Sequence, residues 1–189
     1  MSRDEDIKQA VAVMRRGGVI LYPTDTIWGI GCDATCEAAV RRVFEIKQRA
    51  DSKSLSVLVD SPNRLQRYVR NVPDVAWDLI DLATRPLTLI LDGAVNLAPD
   101  VVAADGSVGI RVTSEDFSRQ LCYRMERAIV STSANISGEP TAHTFAEISD
   151  EVKQAVDYVC SSRQNEKRPA EASQIIKLSQ NGEVKIIRQ

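Results

Sequence analysis

The chain has 189 residues, with 43% hydrophobic and 26% charged positions and a formal net charge of -2. That length suits one domain, read here as residues 1–189, with a core large enough to need neither disulfides nor a structural metal. The charge excludes bulk electrostatic steering toward nucleic acid, the N-terminus lacks the apolar segment of a signal peptide, and no apolar run approaches the ~20 residues that span a membrane. A cytoplasmic protein is expected.

Ile7, Ala10, Val11 and Met14 recur at helical spacing, which predicts a helix over Asp4–Arg16 stopped by Gly17-Gly18. "VILY" then reads as a short buried strand ending at Pro23. The stretch "YPTDTIWGIG", residues 22–31, offers Thr24, Asp25 and Thr26 after a fixed turn, with Gly29 and Gly31 permitting close backbone approach. It is not a dinucleotide fingerprint, because no third glycine follows at the required spacing. A helix is predicted over Cys36–Gln48, and Lys47, Arg49 and Lys53 cluster at its end. Cations there suit a helix C-terminus, and they equally suit convergence on a polyphosphate.

"LSVLV", Leu55–Val59, is a strand, and Ser61-Pro62 caps a helix running to about Arg70. A helix over Asp74–Ala83 precedes the strand "LTLIL"; the long segment "DGAVNLAPDVVAADGS" carries enough Val and Leu to pack. In the next strand, "SVGIRV", Arg111 stands among apolar residues. A buried arginine needs an anionic partner, either a protein carboxylate or a ligand carboxylate. A helix over Ser114–Glu126 leads to the strand "AIVS" and so to "IVSTSANISGEP", residues 129–140. Ser131, Thr132, Ser133 and Asn135 supply neutral donors suited to phosphate or carboxylate oxygens.

"SSRQNEKRPAEA", residues 161–172, is polar enough for a surface loop, and Asn181-Gly182 signals a hairpin between two β-rich runs. Strands alternating with helices and finishing antiparallel give an α/β (α+β) domain with a mixed sheet. Cys32, Cys36, Cys122 and Cys160 lack metal-ligand spacing and read as reduced core thiols. A serine hydrolase is not indicated: Gly-x-Ser-x-Gly is absent, and the one histidine, His143, lies well beyond Ser133. There is no Walker A sequence either.

Together, "YPTDTIWG", Lys47-x-Arg49, the "PLT" of Pro86–Thr88, "GIR" at Gly109–Arg111 and "STSANISGEPT" resemble the YrdC/YciO family in order and spacing, from about Ile7 to Arg188. The resemblance implies a YrdC-type fold, a twisted mixed β-sheet flanked by helices around a concave, positively lined site. It implies synthesis of threonylcarbamoyl-AMP and pyrophosphate from L-threonine, bicarbonate and ATP, with Mg²⁺ accompanying ATP, as a step toward tRNA N6-threonylcarbamoyladenosine. Lys47 and Arg49 would hold the phosphates as the catalytic cations. Ser133, Asn135, Thr141 and Arg188 would complete the nucleotide side, and Thr26, Arg111 and Ser131 would hold threonine. No protein metal ligand is implied. Substituting Lys47 or Arg49 is then expected to weaken ATP binding with little effect on folding. The family's late Ser-Thr pair stands here as Ser173-Gln174. Tuned positioning rather than a protein base would carry such a reaction. Partner proteins of tRNA modification and a contact to tRNA or double-stranded RNA are implied as well. Two readings stay open beside this one: an RNA-binding or ribosome-associated protein using the same basic concavity, and a sibling carbamoyl-adenylate enzyme acting on another amine.

Overall fold

The computed structural model describes residues 1–48, 55–167 and 172–189. The chain opens with α1 (Arg3–Arg15), whose N-terminus is closed by a reciprocal Ser2–Glu5 capping box. It buries Ile7, Ala10, Val11 and Met14, the face that the periodicity predicts. Strand β1 (Ile20–Tyr22) follows, and then β2 (Gly29–Gly31), which the sequence pattern reads only as a turn. Helix α2 (Glu37–Ile46) ends with Lys47 as its C-cap.

Strand β3 (Ser56–Val59) leads through a single 3-10 turn into α3 (Leu65–Tyr68), shorter than the helix expected to Arg70. The helix stops because Val69 turns extended and bridges Ala94, while the Arg70 N–H bonds the Gly93 carbonyl at 3.0 Å; Tyr68 is buried, and its hydroxyl accepts the Ala128 N–H at 2.8 Å. The chain continues with α4 (Asp74–Leu82), β4 (Leu87–Leu91), β5 (Val108–Val112), α5 (Asp116–Met125) and β6 (Ile129–Ser133). Glu115 caps α5 by accepting the N–H groups of Phe117 and Ser118. A short helix α6 (Asp150–Ala155), not anticipated from the sequence, precedes β7 (Tyr158–Val159). The chain closes with the expected hairpin of β8 (Gln174–Leu178) and β9 (Val184–Arg188), and Gly182 at its turn adopts φ +85°.

The strands form one twisted mixed sheet in the order β7-β1-β2-β6-β3-β5-β4-β8-β9. The pairs β1–β7, β3–β5 and β4–β8 are parallel, and the remaining pairs are antiparallel. Side chains alternate between the two faces of a strand, so this register decides which residues meet. Val57, Val59 and Ile110 are buried in the core, as are Phe117, Leu121 and Met125 of α5. The opposite face carries Ser131, Ser56 and Gly109 in one row across β6, β3 and β5. Arg111, Thr88, Ile175 and Arg188 form the next row, across β5, β4, β8 and β9. A polar floor is thus built from strands far apart in sequence. Cys32, Cys122 and Cys160 are buried free thiols, and Cys36 is partly buried.

Candidate active site

These rows open into a cavity of about 260 Å³. Its walls include Thr26, Trp28, Ser56, Thr88, Arg111, Ser131, Thr132, Ser133, Thr141, Ser173 and Arg188. The expected threonine-side residues, Thr26, Arg111 and Ser131, therefore share one space with Ser133, Thr141 and Arg188 from the expected nucleotide side. Gly109 lies in the floor, where an added Cβ would stand 2.9 Å from Ser56 Oγ and 3.4 Å from Thr88 Cγ2.

The turn after β1 holds Thr26 in place. Thr24 Oγ1 accepts the Thr26 N–H at 3.1 Å and donates to the Ile27 carbonyl at 2.7 Å. Next to it, Asp25 answers the question that Arg111 poses. Arg111 Nε donates to Asp25 Oδ1 at 3.0 Å, and both side chains are almost wholly buried. Burial pushes the Asp25 carboxyl above its ordinary range, and the Arg111 charge pulls it back only in part. The two terminal guanidinium nitrogens have weaker protein contacts, 3.4 Å to Thr88 Oγ1 and 3.3 Å to Thr26 Oγ1. Asp25 thus fixes the guanidinium by its inner nitrogen, and the outer pair keeps capacity for an oxyanion. The protein carboxylate and the ligand carboxylate are not exclusive alternatives here.

Lys47 is placed differently from a phosphate contact in an open cleft. It is buried, with 2% exposure, and its ammonium donates to the Ser133 carbonyl at 2.5 Å and the Asn135 carbonyl at 2.7 Å. Its own carbonyl accepts the Ser137 N–H at 2.8 Å. Lys47 therefore clamps the polar stretch that follows β6, an arrangement in which its replacement should cost stability as well as ATP binding. Arg49, like Lys53, lies outside the described residues. So do residues 168–171 of the expected surface loop.

Asn135 is held rather than exposed to the cavity. Its Nδ2 donates to the carbonyls of Ile136 and Glu139, both at 3.0 Å, which sets the amide orientation. Its Oδ1 is buried without a partner among the described residues. Arg188 donates through Nε to the Ser173 carbonyl at 2.8 Å, and the Ser173 hydroxyl lies 2.9 Å from Thr88 Oγ1. Ser173 thus reaches the site. Trp28 packs against Phe145 with ring centroids 4.8 Å apart, giving the cavity an anchored aromatic wall. Trp28 and Ser173 are marked in the sequence only by the family motifs that contain them, and Ser56 carries no site signal at all. Strand alternation could mark Ser56 as facing the same side as Leu58, but only the register sets it beside Ser131 and Gly109.

Among the described residues, no group of three His, Cys, Asp or Glu side chains could hold a metal ion. None of their helices is long and apolar enough to cross a membrane.

Comparison with known proteins gives this geometry its relatives. A family model described as telomere recombination, Sua5_yciO_yrdC, matches residues 12–189. The chain belongs to the Sua5/YciO/YrdC family. It is 32% identical over 161 residues to a protein of Pseudoalteromonas translucida named threonylcarbamoyl-AMP synthase, covering 84% of this chain and 86% of that one. The crystal structure of P. abyssi Sua5 complexed with L-threonine superposes with a TM-score of 0.85 at 27% identity, covering 94% of this chain. This chain spans 52% of that Sua5 chain. E. coli YciO superposes with a TM-score of 0.84 at 25% identity, covering 100% of this chain and 90% of its own.

Proposed function

We propose that this chain is an L-threonylcarbamoyladenylate synthase, a nucleotidyltransferase that makes threonylcarbamoyl-AMP and pyrophosphate from L-threonine, bicarbonate and ATP. The observation that carries the reading is the convergence of Arg111, Thr26, Ser131, Ser133, Thr141 and Arg188 on one cavity. Relatives that bear the synthase name over most of their length support it.

In this reading the Arg111 terminal nitrogens take the threonine carboxylate, with Thr26 and Ser131 beside it. The threonine amine attacks bicarbonate with loss of water, or carbon dioxide with release of a proton to solvent, to give the carbamate. A carbamate oxygen then attacks the α-phosphorus, and the bond to the β-phosphate oxygen breaks to release pyrophosphate. Positioning and charge neutralisation carry these steps. Ser133, Thr141 and Arg188 line the nucleotide side, and Asn135 braces the turn behind them through its Nδ2 bonds. Lys47 serves that side through the loop it clamps, and Arg49 is the proposed direct phosphate contact. Mg²⁺ enters with ATP as part of the substrate and neutralises phosphate charge. The product feeds tRNA modification in the cytoplasm, with partner proteins completing the transfer.

The test is pyrophosphate release from ATP by purified protein, with threonine and bicarbonate each omitted in turn. Release should require both. Release indifferent to threonine would overturn the assignment and favour an enzyme acting on another amine. No release, together with salt-sensitive RNA binding, would favour the RNA-binding alternative.

A further inference from the structure

A second concavity, of about 800 Å³, lies at the other end of the central strands. Arg127 stands just before β6 and Ser133 closes it, so the two cavities are separated by about 20 Å at ~3.3 Å per residue. Four arginines line this second space: Arg15 from α1, Arg64 and Arg67 around α3, and Arg127. Glu126 is the acidic residue in the lining.

Each guanidinium spends little of its donor capacity on the protein. Arg15 donates to the Arg124 carbonyl and Arg67 to the Glu126 carbonyl, both at 2.8 Å. Those carbonyls belong to the negative C-terminal end of α5. Arg64 pairs with Asp60 at 3.1 Å and Arg127 with Asp33 at 2.7 Å. Asp60 and Asp33 are only 13% and 3% exposed, behind their arginines. The charge offered to solvent is therefore mainly that of guanidinium groups, with Glu126 as the acidic exception. A guanidinium has five N–H donors, and one from each of these four is engaged among the described residues. Arg15 and Arg67 have no carboxylate partner among them.

We propose that this concavity binds closely spaced phosphates of a polyanion, through the forks of Arg15, Arg64, Arg67 and Arg127. Guanidinium forks match phosphate oxygens in geometry as well as charge. Tyr68, the aromatic residue of the lining, is buried and uses its hydroxyl on Ala128, so it offers no platform for base stacking. The chemistry recognised is the phosphate groups themselves, from an RNA backbone or from a free polyphosphate. The inference is independent of the reading of the catalytic cavity.

The test measures binding of an unmodified tRNA transcript and of inorganic tripolyphosphate to the full chain over a series of KCl concentrations. R15Q/R67Q removes both charges together with the terminal nitrogens that reach the α5 carbonyls, so its folding is checked by a melting curve first. This variant should lose about tenfold or more in affinity, and its log K against log salt slope should flatten by about 1.4–1.8 for two lost contacts. R3Q/R119Q, which removes two exposed cations that face Asp116, should change affinity less than about twofold. E126Q should strengthen binding by about two- to fourfold, and it keeps the assay decisive if R15Q/R67Q unfolds. Pyrophosphate release should be unchanged in all three variants. Dependence on these residues for the transcript identifies an RNA backbone as the source, and dependence for tripolyphosphate alone identifies a small polyphosphate. Affinity of both probes indifferent to R15Q/R67Q or E126Q, or an equal loss in R3Q/R119Q, would overturn the proposal.

Discussion

Replacing Lys47 with Met keeps the unbranched apolar stem and removes the ammonium, so it isolates the polar contribution of that buried group. The wild-type ammonium makes two short bonds to carbonyls, 2.5 Å to Ser133 and 2.7 Å to Asn135. Hydrogen bonds to a charged group contribute about 1.5–3 kcal/mol each, and the stranded carbonyls carry a further desolvation cost where water cannot enter. Relaxation of the loop recovers part of this, so a net loss of about 3 kcal/mol is expected. For a chain of this size that lowers the melting midpoint by about 6–12 °C. Differential scanning calorimetry on the free protein measures it without any ligand. ATP affinity, from titration calorimetry below the new midpoint, should fall as well, because Ser133 and Asn135 lose their clamp. A midpoint within about 2 °C of wild type, with ATP binding abolished, would refute the reasoning and return Lys47 to direct phosphate contact.

Other substitutions test the remaining parts. Arg111→Lys removes the fork while keeping a charge near Asp25; KM for threonine should rise at least about tenfold and KM for ATP less than about threefold in the pyrophosphate assay. Gly31→Ala should cost about 1–3 kcal/mol in urea unfolding, because its Cβ would stand 2.5 Å from Tyr22 Cε1 and 2.6 Å from the Val130 carbonyl. Asp6 is buried; burial alone would raise its pKa, but bonds from Ser162, Tyr158 and Ser161 outweigh that and hold it below the ordinary range. A lowered carboxylate pKa gives stability that is present above about pH 4 and lost as pH falls through the folded value. Asp6→Asn should therefore be less stable at pH 7 by about 1–3 kcal/mol, with the difference from wild type shrinking below pH ~4 in urea melts.

Hydrophobic spacing made α1, β3, β4 and β5 legible, because each carries a buried face that local sequence must supply. The strand β2 was not, since Gly29, Ile30 and Gly31 show no alternation to read. What makes them a strand is pairing with Tyr22 on one side and Ser133 on the other. The site divides in the same way. Arg111 advertises itself as a charge in an apolar strand, but its split between Asp25 and the cavity depends on a turn 86 residues away. Lys47 sits where a helix-end cation belongs, and nothing near it in sequence announces that its ammonium turns inward to carbonyls 86 and 88 residues later. Ser56 and Thr88 are unremarkable until the register sets them beside Gly109 and Arg111.

The polar stretch after β6 then has a physical reason for its composition. Ile129 and Val130 are buried, but β6 pairs with β3 only as far as Ser131, and at Thr132 and Ser133 its ladder continues with β2 alone. Carbonyls at such an end need donors, and Lys47 supplies them to Ser133 and Asn135 from one buried cation. Ser131 and Ser133 line the cavity, and the same ammonium also approaches the Ser133 hydroxyl at 3.4 Å. The arrangement also places a fixed positive charge immediately behind the loop, where an anion bound in front would feel it through a low dielectric. The clamp and the electrostatic role are therefore one feature: the charge can act on the site because folding, rather than ligand binding, holds it there.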